Sequence, residues 1–387
     1  MKKGHIIPLV ALTTVIFSAS CSSDEIVPLR DPQETNTVKE YTWAATADSM
    51  QAATYNTYLS SEGTFGQDNT GNSTFHYWPN AHVLHVLVDG YNRTNDVSFL
   101  SKMKALVRGI KTRNGNSYDN VFNDDMIWLA NSSVRAYNAT NDEEYLQVSE
   151  LLWEQIKLSW SDDIFGGGIT WKKDTPFQKN AVSNGPAAVL ALRLYEVYNN
   201  PQELQWAKKI YDWQKNTLVD PDTGLVWDGI TIENGETVIN KDWIFTYNIG
   251  TYIGAGLKLY QATGENQYLN DAVKTARSML TSSQLTSEGI LKDEGQGDGG
   301  LFKGILVRYL TQLILEPDVS ESDKKDFAAF LNFNARKFYD NGLSRPAMLS
   351  SADWGRAPGT RTDLTTQLSG LMLIEAASLL DEKGFFE

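Results

Sequence analysis

The stretch YNATNDEEYL (residues 137–146) joins the end of one helical pattern to the start of another. The Asn, Asp and Thr residues in its middle favour a tight turn followed by a helix N-cap. The same spacing, a Tyr followed nine positions later by a Leu, recurs in YNRTNDVSFL (91–100), YEVYNNPQEL (195–204) and YQATGENQYL (260–269). The repeated unit is therefore a helical hairpin.

Hydrophobic periodicity extends this unit along the chain. It predicts twelve helices, near residues 43–59, 78–92, 97–112, 124–138, 142–158, 181–198, 202–217, 247–262, 266–281, 299–315, 321–339 and 361–380. Connections inside a hairpin have about four residues, whereas those between hairpins have roughly 12 to 30. We therefore expect an all-α fold, an (α/α)6 barrel of six hairpins, with the helices that follow the long loops forming its inner ring.

The long loops carry residues that are unusual for helices. The segments FGGGITW (165–171) and GLVWDGITIENGETVI (224–239) are typical of short β insertions. Polar and aromatic residues gather just before each inner helix, so we expect a concave ligand site at one mouth of the barrel.

Composition limits the classes of partner. The 387 residues include 34 Lys and Arg against 48 Asp and Glu, a net charge of −14, and no basic stripe is visible. This balance argues against nucleic acid as a partner. The 11 Trp and 17 Tyr residues suit sugar stacking, but they suit a bulky core equally well.

The N-terminus has the pattern of a bacterial lipoprotein. Two lysines, an apolar run and small residues precede Cys21, the only cysteine, which predicts a signal peptide over residues 1–20. A lipidated Cys21 would begin a polar tether (21–39), leaving residues 40–387 for the barrel. An ordinary signal peptide with an incidental cysteine is the alternative. We expect an outer-membrane lipoprotein of the cell envelope that faces the cell surface or the periplasm.

Two adjacent acids stand at the start of an inner helix, in NDDMIW (123–128). Asn123 is a natural N-cap, and acids in a first turn interact favourably with the helix dipole, so Asp124 and Asp125 could be ordinary capping charges. Periodicity places both acids off the core face. At a barrel mouth, however, two crowded carboxylates would acquire different pKa values. Retaining glycoside hydrolysis needs such a pair.

Several segments resemble one known family. NDDMIWLANSSVRAYNATND is similar to the paired-aspartate motif of glycoside hydrolase family 76, the endo-α-1,6-mannanases. From about residue 40 to the C-terminus, further segments match in order: YWPNAHVLHVLVDGYNRT (77–94), GGGITW (166–171), KNAVSNGPAAVLALRLYE (179–196), GLVWDGI (224–230), FTYNIG (245–250) and FKGILVRYL (302–310). The FTYNIG segment departs from the family pattern, which tends to have Gln where Ile249 stands.

The resemblance implies a fold and an activity. The family fold is the (α/α)6 barrel, and the activity would be endo-acting, retaining cleavage of α-1,6-mannosidic bonds in mannan. Asp124 would be the nucleophile and Asp125 the general acid/base, and no cofactor or metal would be needed. We expect a monomer that binds α-mannan or α-1,6-manno-oligosaccharides. A non-catalytic mannan-binding lipoprotein and a transglycosylase on the same fold remain alternatives.

Six further residues are candidates for substrate binding. They are Trp78, Asn184, Asp228, Tyr247, Asn248 and Lys303. A turn could explain the Asp, and capping or packing could explain the two Asn residues and the Tyr. The Lys could instead pair with an acid of the site.

Other aromatic and histidine residues are ambiguous. Trp171, Trp227 and Trp354 could stack on sugars or fill the core. His82 and His85 are three residues apart on one helix, but no third ligand is evident, so the sequence predicts no metal site.

The lipoprotein prediction can be tested by replacing Cys21 with Ala. We expect the variant to leave the membrane fraction, because the thiol that would carry the lipid is gone. Ser23→Ala is the matched control and should stay membrane-bound. Membrane retention of Cys21→Ala would show that the anchor prediction is wrong.

Overall fold

Twelve α-helices make up most of the structure, a computed structural model that describes residues 40–386. They are α1 (Trp43–Tyr58), α2 (Tyr77–Thr94), α3 (Ser98–Arg113), α4 (Asn123–Thr140), α5 (Glu143–Lys157), α6 (Ala181–Tyr198), α7 (Pro201–Leu218), α8 (Thr246–Thr263), α9 (Asn266–Thr281), α10 (Gly299–Ile314), α11 (Glu321–Lys337) and α12 (Leu364–Glu382). A single π-helical turn, Phe338–Gly342, follows α11. The predicted signal peptide, Cys21 and the tether through residue 39 lie outside the described residues.

Every second helix belongs to a closed inner ring. α2 packs on α4, α4 on α6, α6 on α8, α8 on α10, α10 on α12, and α12 returns to α2. The outer helices α3, α5, α7, α9 and α11 each pack against the inner helix that precedes them, and α1 packs against α12. The predicted (α/α)6 barrel and its inner ring are confirmed.

Four of the five turns that lead from an inner helix to the next outer helix share one backbone shape, and the turn after α10, at Leu315, does not. Each of the four begins with a left-handed residue, with φ between 50° and 71°, whose N–H donates at 2.7 Å to the carbonyl of the Tyr four positions earlier: Asn95, Asn141, Asn199 and Gly264. Asn and Gly tolerate this conformation at low cost. The next helix then starts at once, and Asp142 caps α5 by accepting from the N–H of Glu144. The Tyr-to-Leu spacing is thus the trace of a left-handed C-cap followed by an N-cap.

Short strands decorate the loops at one end of the barrel. β1 (Gln178–Asn180), β2 (Gly229–Glu233) and β3 (Glu236–Ile239) form an antiparallel sheet in that order, and β4 (Thr286–Ser287) pairs with β5 (Ile290–Leu291). Asn234 and Gly235 join β2 to β3 with φ of 53° and 84°, as a type I′ hairpin turn requires. The insertion predicted in 224–239 is therefore a true hairpin.

The insertion predicted in 165–171 is not a strand. Four successive residues, 165–168, have positive φ, which interrupts any extended run. Only isolated bridges remain, between Ile169 and Trp160 and between Thr170 and Lys179. The segment is an irregular loop held against its neighbours by side chains.

The inner helices are buried on nearly all sides. In α6, every residue from 181 to 194 is buried. No helix within residues 40–386 has the length and apolar content needed to cross a lipid bilayer. Neighbouring inner helices also approach closely at glycines: a Cβ on Gly250 of α8 would lie 2.6 Å from the Cα of Leu306 on α10.

This close approach predicts a destabilised Gly250→Ala variant. The new methyl group would meet backbone atoms, which no rotamer change can move away. We expect a loss of about 1–3 kcal/mol in the free energy of unfolding, the usual range for overpacking. Thermal or denaturant unfolding measures it. Gly359→Ala is the matched control, because a Cβ there meets no atom within 4 Å, and equal stability of the two variants would contradict the packing argument.

Candidate active site

A cleft of about 420 Å³ opens at the mouth where the inner helices begin. It is lined by His76, Tyr77, Trp78, Phe122, Asp124, Asp125, Trp128, Trp171, Gln178, Asn180, Val182, Asp228, Tyr247, Asp298 and Phe302. Among the predicted site residues, both acids of the pair, Trp78, Asp228 and Tyr247 line this cleft. Asn184, Asn248 and Lys303 do not.

The start of α4 differs from the expectation in one detail. Phe122, in extended conformation, occupies the N-cap position without a side-chain cap, and Asn123 is the first helical residue. The Asn123 amide donates to Thr170 O at 2.8 Å, and its Oδ1 accepts from the Ser159 hydroxyl at 3.0 Å. Asn123 therefore ties the start of α4 to the 159–171 loop and does not cap the helix.

Asp124 is held by a tryptophan from that loop. Trp171 Nε1 donates to Asp124 Oδ2 at 3.2 Å, while Oδ1 is buried with no hydrogen-bond partner among the described residues. Burial raises the pKa of Asp124 to about 7, although the Trp171 N–H and the first backbone N–H groups of α4 act to lower it. The side chain is half-buried, so solvent in the cleft still reaches it.

The pKa of Asp125 is shifted further. Burial, the adjacent Asp124 carboxylate and Asp298 all raise it well above its ordinary value. None of the described residues donates a hydrogen bond to this carboxyl group to oppose the shift. Sequence reasoning expected one raised and one low pKa. Instead both pKa values rise, and the order of ionisation separates the pair: Asp124 ionises first and Asp125 keeps its proton.

Asp298 is a fourth acid in the cleft, and sequence reasoning missed it. It sits at the N-cap of α10, and its Oδ1 accepts from Trp78 Nε1 at 3.0 Å. Its charge raises the pKa values of both Asp124 and Asp125. The signal was its place in GDGG, immediately before an inner helix.

Asp228 is positioned from below by the start of α8. Its Oδ1 accepts from Tyr247 Oη at 3.2 Å and from Asn248 Nδ2 at 2.9 Å. Burial raises the pKa of Asp228, and these two donors oppose the rise. The Tyr247 ring stacks on Phe302 with centroids 3.8 Å apart. Asn248 does not line the cleft but supports it through its hydrogen bond to Asp228. Ile249, the departure from the family pattern, is fully buried.

Asn184 clamps the loop that carries Trp171. Its side chain is fully buried, accepts from Ile169 N at 2.8 Å, and donates to Ile169 O at 3.0 Å and to Asn180 O at 2.8 Å. All of its polar atoms are therefore used inside the protein. This placement supports a positioning role and not the predicted contact with substrate.

Lys179 holds the other end of the same loop, and sequence reasoning missed it. Its buried ammonium group donates to Ser161 O at 2.8 Å, to Ile164 O at 2.6 Å and to Gly167 O. Burial lowers its pKa to about 8. Such a set of three carbonyls from an irregular loop leaves no sequence pattern.

Lys303 and Trp354 lie beneath the site. The Lys303 ammonium group donates to Ala352 O and sits 4.3 Å from the Trp354 ring centroid, and both side chains are buried. The proposed sugar contact of Lys303 and the stacking role of Trp354 do not fit these positions. Trp227 is also nearly buried and lies under Lys241.

The comparisons with known proteins decide the family. The model of Glycosyl hydrolase family 76 matches residues 42–387. The chain belongs to glycosyl hydrolase family 76. The resemblance read from the paired-aspartate motif is thus confirmed.

Solved structures of this family share the fold. An alpha-1,6-mannanase from Salegentibacter sp. HEL1_6 is 58% identical, with a TM-score of 0.86 over 87% of this chain and 99% of that chain. An inactive variant of that enzyme, in which two consecutive aspartates are replaced by asparagine, has been solved in complex with alpha-1,6-mannotriose. The family 76 barrel is therefore shown for this chain.

Curated relatives match over shorter stretches. Mannan endo-1,6-alpha-mannosidases are 27% identical over 183 residues in Saccharomyces cerevisiae and 24% identical over 277 residues in Candida albicans. The matches cover 44% and 65% of this chain, and 40% and 60% of those relatives. The chain thus spans less than two thirds of the curated relatives it matches.

The Trp171 contact predicts a pH effect in this family 76 member. Its N–H stabilises the ionised form of Asp124, so Trp171→Phe should raise the pKa of Asp124. The acid limb of the pH profile of kcat/KM for glycoside hydrolysis should move up by about one pH unit, the value of one hydrogen bond to a charged group. Trp206→Phe, on the outer helix α7, is the control and should leave the limb in place. An unmoved limb in Trp171→Phe would contradict this account of Asp124.

Proposed function

We propose that the protein is an endo-acting, retaining glycoside hydrolase that cleaves α-1,6-mannosidic bonds in the backbone of mannan. The observation that carries the proposal is the pair Asp124–Asp125 at the mouth of a family 76 barrel, where burial raises the pKa of both carboxyl groups and the Asp124 charge raises that of Asp125 further. The similarity to an alpha-1,6-mannanase, over nearly the whole of that chain, supports the α-1,6 linkage of the proposed substrate.

The first displacement needs an ionised and a protonated carboxyl group. Asp124 attacks the anomeric carbon, and the glycosidic bond breaks as Asp125 donates its proton to the departing oxygen. A covalent mannosyl ester on Asp124 results. The higher pKa of Asp125 suits it to hold this proton, and the Trp171 N–H helps to keep Asp124 ionised.

The second displacement restores the enzyme. Asp125, now ionised, removes a proton from a water molecule, whose oxygen attacks the anomeric carbon and expels Asp124. Two inversions give overall retention. The two carboxyl groups and water supply all of this chemistry, so the reaction requires no cofactor.

Aromatic and acidic groups around the pair form the proposed sugar subsites. Trp78, Trp171 and the Tyr247–Phe302 stack offer flat faces for mannose rings. The Oδ1 atom of Asp228 accepts hydrogen bonds from Tyr247 and Asn248. Its Oδ2 atom accepts none from the described residues, so Oδ2 can accept one from a sugar hydroxyl. Asp298 is placed to do the same at the other side of Trp78.

Two alternatives on the same fold give different outcomes. A non-catalytic mannan-binding protein would bind unbranched α-1,6-mannan without releasing products. A transglycosylase would build longer oligomers from α-1,6-mannotetraose. The intact acid pair favours the hydrolase over the binding protein, and the analysis of products from both substrates separates all three.

Unequal effects of Asp124→Asn and Asp125→Asn test the assigned roles. Both variants should release oligosaccharides from linear α-1,6-mannan far more slowly than the unchanged protein. For Asp125→Asn we expect the rate to fall by about 10²–10⁴-fold. Asp125→Asn should keep turnover on a mannoside with a very good leaving group, which needs no proton, whereas Asp124→Asn should not.

The control for these variants is Asp326→Asn, an exposed Asp on α11, which should behave like the unchanged protein. Equal loss in the two active-site variants on the activated mannoside would contradict the division of roles. Tight binding of mannan by the unchanged protein without any product would contradict the hydrolase itself.

We propose separately that a lipid on Cys21 attaches the enzyme to the outer membrane, where it would act on mannan at the cell surface or in the periplasm. The support is the sequence pattern before Cys21.

A further inference from the structure

A second cavity lies at the end of the barrel opposite the catalytic mouth. It has a volume of about 530 Å³, larger than the 420 Å³ of the catalytic cleft, and its size is typical of small-molecule sites. The C-terminal halves of the inner helices α2, α4, α10 and α12 form its wall. We call it the basal cavity.

The charged side chains of the basal cavity pair off, with one exception. Arg93 binds Glu375 at 2.8 Å, Arg135 binds Asp89 at 2.7 Å, and Lys383 binds Glu382 at 3.1 Å. These six residues and Arg308 are the charged residues of the wall. Within residues 40–386, Arg308 has no carboxylate within ion-pair distance, whereas Arg93 has a second one, Asp48, at 2.8 Å.

Among the described residues, the His82 ring is the one hydrogen-bond partner of Arg308. Its Nη1 lies 3.3 Å from Nδ1 of His82, and its Nη2 is buried with no hydrogen-bond partner among the described residues. His82 brings no charge of either sign, because burial holds its pKa well below the ordinary value and the ring is neutral. A buried guanidinium donor without an acceptor is costly, since the N–H groups have lost their water.

Neighbouring cations increase the positive potential. Burial and the charges of Arg135 and Arg193 lower the pKa of Arg308 to about 9, while the charge of Asp89 opposes this shift. Arg193 is itself buried on α6 and donates to Asn131 O at 2.8 Å and to Asn131 Oδ1 at 3.1 Å. The protein thus holds more positive than negative charge at the inner end of the cavity.

The helix dipole does not account for Arg308. Cations favour the last turn of a helix, and the effect fades beyond that turn. Arg308 lies six residues before Ile314, the last residue of α10, and its guanidinium group contacts the His82 side chain on α2, not a terminal carbonyl. Its charge therefore needs another partner.

We propose that the basal cavity binds a small oxyanion, a carboxylate or a phosphate, through the guanidinium group of Arg308, with Arg135 beside it. A planar guanidinium favours such groups because it offers parallel donors to two oxygens. Leu315, Met372 and Leu379 give the cavity an apolar side, which suits an anion carried on a small organic molecule. This site is independent of the catalytic chemistry proposed above.

Calorimetric titration of the mature protein with sodium phosphate and with sodium acetate tests the proposal. We expect saturable one-site binding of at least one of these anions, and none of sodium chloride used at equal ionic strength. Arg308→Met should weaken the binding by roughly tenfold or more, the value of a lost charged hydrogen bond. The anion that binds shows whether the site takes a phosphate or a carboxylate.

Two controls separate a specific site from general charge effects. Lys383→Met removes a cation from the same wall, but one that is already paired, so it should leave anion affinity within about twofold, as expected for an exposed ion pair. Asp124→Asn should also bind the anion with unchanged affinity, because Asp124 lies at the opposite end of the barrel. Arg308→Met should fold, since it removes an unpaired buried charge, and Arg308→Gln serves as a second variant.

Three titration results would overturn the proposal. The first is the absence of saturable binding by the unchanged protein, and the second is binding by both Arg308 variants as tight as that of the unchanged protein. The third is a loss of affinity in Lys383→Met as large as that in Arg308→Met. Inhibition of mannan hydrolysis by phosphate in competition with substrate would also overturn it, because the anion would then occupy the catalytic cleft. Failure of the hydrolase proposal would appear in product analysis alone and would leave these titrations unaffected.

Discussion

The hydrogen bond from a left-handed residue to the carbonyl of a Tyr four positions earlier is the interaction on which this barrel depends. At Asn95, Asn141, Asn199 and Gly264 it ends an inner helix and sends the chain back outward within two or three residues. Because these turns are so short, every long connection is left at the opposite end. The inner helices therefore all present their N-termini at one mouth, and the paired acids at the start of α4 become part of a cleft.

The same arrangement gives the two ends of the barrel different chemistry. At the mouth, Asp124, Asp125, Asp228 and Asp298 face one cleft, and crowding and burial raise the pKa values of the acid pair. At the base, Arg135 and Arg308 line one cavity, and Arg308 has no carboxylate within ion-pair distance among the described residues. Neutral His82 and His85 are buried between the helices that connect the two ends. Acid–base chemistry suits the first end, and anion binding suits the second.

The helices, the turns and the inner ring could be predicted because their causes are local in the sequence. A C-cap, an N-cap and a hydrophobic period each lie within about ten residues. The acid pair was also accessible, through its place at an inner-helix start and through the family motif. The difference in pKa between Asp124 and Asp125 depends on burial, Trp171 and Asp298, which only the folded chain brings together.

Contacts between distant segments explain the failures. Lys179 and Asn184 hold the 161–171 loop through backbone carbonyls and amides, and no spacing marks such acceptors. Lys303 looked available for sugar, yet it is enclosed under Trp354 because the loop before α12 folds over it. Asn123 was expected to be an N-cap, but Phe122 occupies that position and the Asn123 side chain hydrogen-bonds to Thr170 and Ser159.

The central claim is that Asp124 and Asp125 act from opposite sides of the anomeric carbon, as nucleophile and as acid/base. The anomeric form of the first sugar released from α-1,6-mannotetraose tests this most directly, followed by proton NMR before mutarotation. The account predicts that the α-anomer appears first and the β-anomer grows in later. Initial release of the β-anomer would contradict it, because inversion requires a single displacement by water and leaves no role for a covalent ester on Asp124.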